Sequence, residues 1–363
     1  MGQINSMGMH KDTSQLLIAT KQATLIQHYV TILLGMWLVI AIFIDGYAHR
    51  HNAIETFFTP WHANLYAAFL TAAVWMVYLV IRNWRNGNTS WKHSIPRGYT
   101  PGLWGVLLFL LGGLGDMTWH TIFGIEKDTA ALLSPSHLIL LVGSLLLLSS
   151  PYNAAKFNGG RGKLGWGAFL PVFLSITLAA AASSFFLMYS WMFNFNLPSK
   201  ASIDWLNNEY GLSLIVTNNE YRGLSYILIN TMLLMIPLFL LMKRWTVPLG
   251  TITVYLGMIT ALNGSLDGFR HYTVIVIALT AGLVGDVLYV LLRPYDGRIW
   301  AYRIVAAVVP IILWSLYFGW LHLTSGIGWE VELWTGSIVQ SALASIAVSL
   351  LAFSPKRGGV SGG

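Results

Sequence analysis

The sequence predicts an all-α polytopic membrane bundle of about ten transmembrane helices, with both termini on the cytoplasmic side. Three observations carry that prediction. Of 363 residues, 55% are hydrophobic and 10% charged, with 16 Trp and a mean hydropathy of +0.62, a balance foreign to soluble domains. Apolar stretches recur at the length a bilayer demands, roughly 20 residues for about 30 Å of hydrocarbon. Lys and Arg gather in alternate connections, as the positive-inside rule requires.

The elements follow in order. Residues 1–27 begin MGQINSMGMHKDTSQ, without a charged region leading into a short apolar core and cleavage site, so no removable signal peptide is expected and the stretch reads as a cytoplasmic segment. One transmembrane domain then covers 28–354, with spans near 28–44, 62–81, 102–118, 134–150, 168–190, 223–242, 246–265, 272–292, 304–320 and 333–353, and 355–363 is a flexible cytoplasmic tail. With the N-terminus inside, 16 of the 21 Lys and Arg fall on the inner side and only Arg50, Lys127, Lys200, Arg222 and Arg270 on the outer. The net charge of +7 is thereby a consequence of topology and implies no nucleic-acid partner. The partner it does imply is the lipid of the cell (plasma or inner) membrane. The Gly-rich inner connection FNGGRGKLGWG has no Ser or Thr after its Lys and joins no strand to a helix, so it is a flexible link, not a phosphate loop.

Within this frame one chemical cassette occurs twice, in repeat units of about 28–81 and 102–150. IDGYAHRHNAIETFFTPWH carries Asp45, His49, Glu55 and His62; GDMTWHTIFGIEKDTAALLSPSH carries Asp116, His120, Glu126 and His137 in the same order. Asp and His four apart share a helix face. The Thr-Pro or Ser-Pro that follows starts the next helix, since Pro suits the first turn, and leaves the second His near that N-terminus. Each copy therefore expects Asp, His and His to converge at the outer end of a helix pair. The chain has no Cys, which excludes thiolate sites and leaves imidazole and carboxylate, a set that suits copper, iron or zinc. Charged side chains in hydrocarbon cost on the order of 2.5–3.5 kcal/mol each on insertion scales, and a bound cation would compensate them.

Weaker signals lie further along. LNGSLDGFRHY repeats the Asp-x3-His step at Asp267 and His271, and His322 opens the last outer loop ahead of Glu330 and Glu332; these are candidates to complete a metal site or to orient its imidazoles. Asp286 is the one acid well inside a span and is a candidate for a proton path. Tyr47, Trp61, Trp119, Trp329 and Trp334 read as an interfacial aromatic belt, and the outer loop 191–221 as a solvated cap.

Asp45-x3-His49-x12-His62, entered through Thr-Pro, resembles the copper-ligand motif of the C-type subunit of copper membrane monooxygenases, the methane and ammonia monooxygenase family. The resemblance covers residues 45–62, and Asp116-x3-His120-x16-His137 follows it with a loop four residues longer. It implies copper on Asp45, His49 and His62, and by internal analogy on Asp116, His120 and His137. The expected function is then a copper-dependent, or else iron-dependent, membrane oxidoreductase acting on a small apolar substrate that enters through the bilayer, drawing on an electron donor or partner subunits, with Glu55 and Glu126 supporting the ligands or donating protons. Two other readings use the same residues: a transition-metal transporter or metal-delivery protein with an outer loading site, and a haem-binding electron carrier.

Overall fold

The computed structural model describes residues 22–51, 59–86, 90–124, 128–157, 162–210, 213–295 and 297–353. The fold is all-α apart from one two-stranded pairing, and its helices are α1 (Leu25–His51), α2 (Pro60–Arg85), α3 (Trp91–Ser94), α4 (Thr100–Phe123), α5 (Asp128–Leu133), α6 (Pro135–Leu148), α7 (Ser150–Phe157), α8 (Trp166–Phe186), α9 (Met192–Phe195), α10 (Lys200–Tyr210), α11 (Ser213–Met242), α12 (Thr251–Ser265), α13 (Thr273–Leu292), α14 (Ile299–Thr324) and α15 (Val331–Ala352). Eight of them, α1, α2, α4, α8, α11, α13, α14 and α15, are long and apolar enough to cross a bilayer, which makes the protein an integral multi-pass membrane protein.

The expected ten spans are all helical, but two fall short. The fourth is α6 at 14 residues, bent by 42° into α7, and the seventh is α12 at 15 residues. Pro151, the second residue of α7, cannot donate to the turn before it, and the bend frees backbone groups that Ser175 of α8 takes over. Its hydroxyl donates to the Leu148 carbonyl at 2.5 Å and accepts from the Tyr152 amide at 3.3 Å. Helix α12 begins late because Pro248 and Gly250, at φ 91°, turn the chain first.

Consecutive helices pair as hairpins: α1 with α2, α4 with α6, α12 with α13 and α14 with α15. Around them α8 is the central element, packed on α1, α6, α7, α11 and α12 and the most buried of the spanning helices. Its Ala179 to Ser184 run offers small side chains on every face, and small residues set how closely helices approach in lipid. The α4–α6 crossing is closer still. A Cβ on Gly105 would lie 2.6 Å from the Gly143 carbonyl oxygen, and one on Gly143 would lie 2.6 Å from the Phe109 amide nitrogen, so backbone meets backbone. On α15 a stripe of Ser337, Ser341, Ser345 and Ser349 at four-residue spacing is buried against its neighbours.

Asp286 is buried on α13, and its carboxylate caps the start of α12. It accepts from the Ile252 amide at 3.1 Å, the Thr253 amide at 2.9 Å and the Thr253 hydroxyl at 2.6 Å. The first amides of a helix have no partner within it, so a carboxylate from the adjacent helix satisfies them and meets the positive end of the helix dipole. Gly282 and Gly285 bring α13 close enough for this, since a Cβ on Gly282 would lie 2.5 Å from the Thr253 Cα. That bonding gives this acid a structural role inside a span, beside the proton path expected from sequence.

Connections tie to one another at both ends of the bundle. Gly162–Lys163, after α7, pairs in parallel with Trp245–Thr246, after α11. At another place Ser199 bridges Ile327, joining the start of α10 to the α14–α15 loop.

Candidate metal centre

The site begins with two helix N-termini. Thr59 and Ser134 are the N-caps of α2 and α6, each followed by Pro and, at the third helical position, by His. Each cap hydroxyl serves its His twice. Thr59 Oγ1 accepts from the His62 amide at 3.3 Å and contacts His62 Nδ1 at 2.9 Å; Ser134 Oγ accepts from the His137 amide at 3.4 Å and contacts His137 Nδ1 at 2.7 Å. In both, the cap hydroxyl meets the backbone amide and the ring of the same residue. It fixes the ring of the second His in each cassette.

The facing helices deliver the other ligands from their last turns. Asp45 and His49 project from α1 toward His62, with His49 Nε2 3.6 Å from Asp45 Oδ2, His62 Nε2 3.5 Å from Asp45 Oδ1, and the two Nε2 atoms 3.4 Å apart. Asp116 and His120 project from α4 toward His137, with His120 Nε2 and His137 Nδ1 each 3.4 Å from Asp116 Oδ1. In each group one ligand atom per residue lies within 4.8 Å of the other two, and among the described residues these are the two groups of three or more metal-ligating side chains.

The distances are compatible with a shared cation. Two nitrogens on one tetrahedral ion, each at about 2.0–2.1 Å, stand about 3.3–3.4 Å apart. The His49–His62 separation is 3.4 Å, whereas an ordinary N–H···N contact would be nearer 3 Å. The donor set, one carboxylate and two imidazoles per group with positions left open, fits copper, iron or zinc. With Thr59 holding His62 Nδ1, the ring turns its Nε2 toward Asp45 and His49, as an outer partner does for a metal-bound imidazole. The second group differs: His137 turns Nδ1 toward Asp116, and Asp116 is the more buried carboxylate, accepting at Oδ1 from Ser136 at 3.2 Å.

The groups are neighbours across the α2–α4 contact. His62 feels the charges of Asp116, His120 and His137 as well as that of His49. Tyr66, one turn beyond His62, feels both Asp116 and Asp45, and its ring lies 3.0 Å from where a Gly113 Cβ would stand. Sequence reasoning did not single out Tyr66, Thr59 or Ser134. The caps were readable from Thr-Pro-x-His and Ser-Pro-x-His; Tyr66 had no signal, because only the α2–α4 packing gives it a place.

Other expected site residues stand elsewhere. Glu55 and Glu126 lie outside the described residues. Asp267 is in the turn between α12 and α13, His271 sits edge-on to Trp320 of α14 at 6.1 Å, and His322 is exposed on the last turn of α14; none of the three belongs to either ligand group. His51 stacks on Tyr47 and contacts its carbonyl at 2.8 Å, away from His49. Trp329, expected in the interfacial belt, is buried instead: its ring lies against Gly223 and its Nε1 donates to Asn219 at 3.4 Å.

Comparisons of the chain with family models, with curated proteins and with solved structures find no match.

Thr59→Val keeps the shape of the cap residue and removes its hydroxyl. Loss of an outer partner of a metal-bound His usually weakens binding about 10–100-fold, and a drop of that size is expected for the first group, with the Asp116 group less affected. Competitive titration with a chelator reads both affinities; equal affinities in variant and parent would remove Thr59 from the site.

Proposed function

We propose that this protein is a membrane metalloprotein whose two Asp-His-His groups hold first-row transition metal at the extracytoplasmic ends of its helices, and that it is an oxidoreductase acting on a small apolar molecule. The observation that carries the reading is the convergence of Asp45, His49 and His62, and separately of Asp116, His120 and His137, at ligand-like separations. Copper is favoured by the resemblance of the first cassette to the monooxygenase C-type subunit; iron suits the same two-His, one-carboxylate set. The bound metal would supply the chemistry of dioxygen activation.

The residues divide the remaining work. Thr59 and Ser134 orient imidazoles, Asp45 and Asp116 neutralise the cation, and the Tyr66 ring fills the seam between the groups. Apolar side chains such as Leu65, Phe69 and Phe109 pack beneath and keep water from that seam, while exposed apolar residues on α2 and α4, among them Leu70, Val74, Leu110 and Leu111, leave a route for an apolar molecule through lipid. Glu55 and Glu126 stay candidates for moving protons. In a transporter or metal-delivery protein the same groups would be a loading site.

Metal analysis of the purified protein tests the proposal directly. A transition metal approaching two ions per chain is expected; a preparation that cannot be loaded with copper, iron or zinc ends it.

The side assignment rests on the 16-to-5 division of Lys and Arg and on the end-to-end pairings. Connections 158–165 and 243–250, which meet through the short strands, are both expected inside; 196–200 and 325–329, which meet through the Ser199 bridge, are both expected outside. Single Cys residues placed in this Cys-free chain at 52 and 128 should react with an impermeant thiol reagent on intact cells, and those at 92 and 161 should not. The reverse pattern would invert the map.

A further inference from the structure

Away from the ligand groups, an opening lies between α10 and the first turns of α11. It has a volume of about 620 Å³, inside the range of ligand sites and far beyond what a structural water needs. Its walls are mainly apolar, with Phe195, Leu197, Trp205, Leu206 and Ile215. One part is polar, where Asn218, Asn219 and Arg222 from successive turns of α11 face the opening.

That polar part is held in place before any ligand arrives. Asn219 is 7% exposed, and its amide oxygen accepts from Trp329, whose ring is seated flat on α11 by the absence of a side chain at Gly223. Its amide nitrogen is left to donate. The Arg222 guanidinium lies 5.8 Å from the Tyr226 ring centre and donates to the Tyr226 hydroxyl at 3.2 Å. Among the described residues no carboxylate comes within ion-pair distance of Arg222, so none of them neutralises its charge.

The position selects the ligand. The opening sits where a spanning helix begins, beside an amphipathic helix that does not span. Its rim exposes Phe195 (41%), Trp205 (56%) and Tyr221 (64%), the residues favoured at the level of lipid headgroups. A soluble anion would meet an apolar wall, and a zwitterionic lipid would offer its phosphate as an acceptor but no net charge to balance the Arg222 guanidinium. We infer that this opening is a binding site for an anionic phospholipid of the surrounding leaflet, its phosphate received by Arg222 and Asn219 and the upper part of one acyl chain lying between α10 and α11. Lipid bound there would join the non-spanning α10 to the bundle.

The test uses the full-length protein in nanodiscs of phosphatidylcholine doped with either phosphatidylglycerol or brominated phosphatidylglycerol, and native mass spectrometry after release from the disc. The parent should retain phosphatidylglycerol over phosphatidylcholine by about five-fold, the weight of one basic residue near an anionic lipid surface. Arg222→Ala should abolish that preference. Leu206→Trp, which fills the opening and leaves the charge, should lower retention of both lipids. Brominated lipid should quench tryptophan emission in the parent and do so less in Trp205→Phe. Equal retention of the two lipids by the parent, a preference unchanged in Arg222→Ala, or retention of both lipids unchanged in Leu206→Trp overturns the assignment. So does displacement of phosphatidylglycerol by equimolar oleate, which would make the ligand a free fatty acid.

Discussion

His49→Ala and His120→Ala should each strip one metal ion from the purified protein, and the double variant should carry none. Each removes one of three ligands from a group that has no fourth protein ligand among the described residues. Two remaining donors hold a first-row ion poorly, because the third position passes to water and the carboxylate alone must hold the charge. The groups lie close enough for His62 to feel Asp116, so an ion in one raises the cost of an ion in the other. Single variants should therefore bind their remaining ion more tightly than the parent binds its second. His271→Ala and His322→Ala serve as controls and should keep full content, since neither belongs to a ligand group. Acid should release both ions, because a protonated imidazole has no lone pair to offer. Elemental analysis across the series decides the matter: full metal in the double variant would place the ions elsewhere.

Asp286→Ala should be the most destabilising single change available in the second half of the bundle. It removes the acceptor of three donors at a buried helix start, and each buried donor left unsatisfied costs about 1–3 kcal/mol. Water cannot readily replace it there, because the site is closed by Gly282 and Gly285 packing on α12. Asp286→Asn keeps one carbonyl acceptor and should lose roughly half as much, while metal content stays at the parental level. Near-ultraviolet circular dichroism during heating, with metal analysis on the same samples, separates the effects. If Asp286→Asn unfolds with the parent yet blocks metal uptake into sealed vesicles, the carboxylate is a transport group and the capping role is secondary.

Composition and period made the bundle legible: every apolar stretch of sufficient length became a helix. What they missed depended on partners. Nothing within 134–150 announces a 42° bend, because Pro151 ends that stretch just as it would end a straight span, and the freed groups are satisfied from α8. The ligand groups were legible for the opposite reason. Asp-x3-His is set by one helix, and Thr-Pro-x-His or Ser-Pro-x-His by one helix start, so each half of a group is local and only the hairpin had to be supplied. Asp267 and His271 have the same spacing, but the turn that carries them has no facing cap with a His, and they assemble with nothing comparable. Asp286 was visible as an anomaly and its explanation was not, because the amides it serves belong to residues 252 and 253, more than thirty positions away.

The capping of α12 by α13 also bears on biogenesis. Fifteen residues at 1.5 Å each make about 22 Å of helix, short of the roughly 30 Å of hydrocarbon that a lone segment must bridge. A segment released sideways into lipid by the insertion machinery would bring its first amides with no acceptor, and the acceptor is synthesised more than thirty residues later. Insertion of α12 by itself is therefore disfavoured relative to insertion as half of a pair with α13, whose Asp286 supplies the missing acceptor.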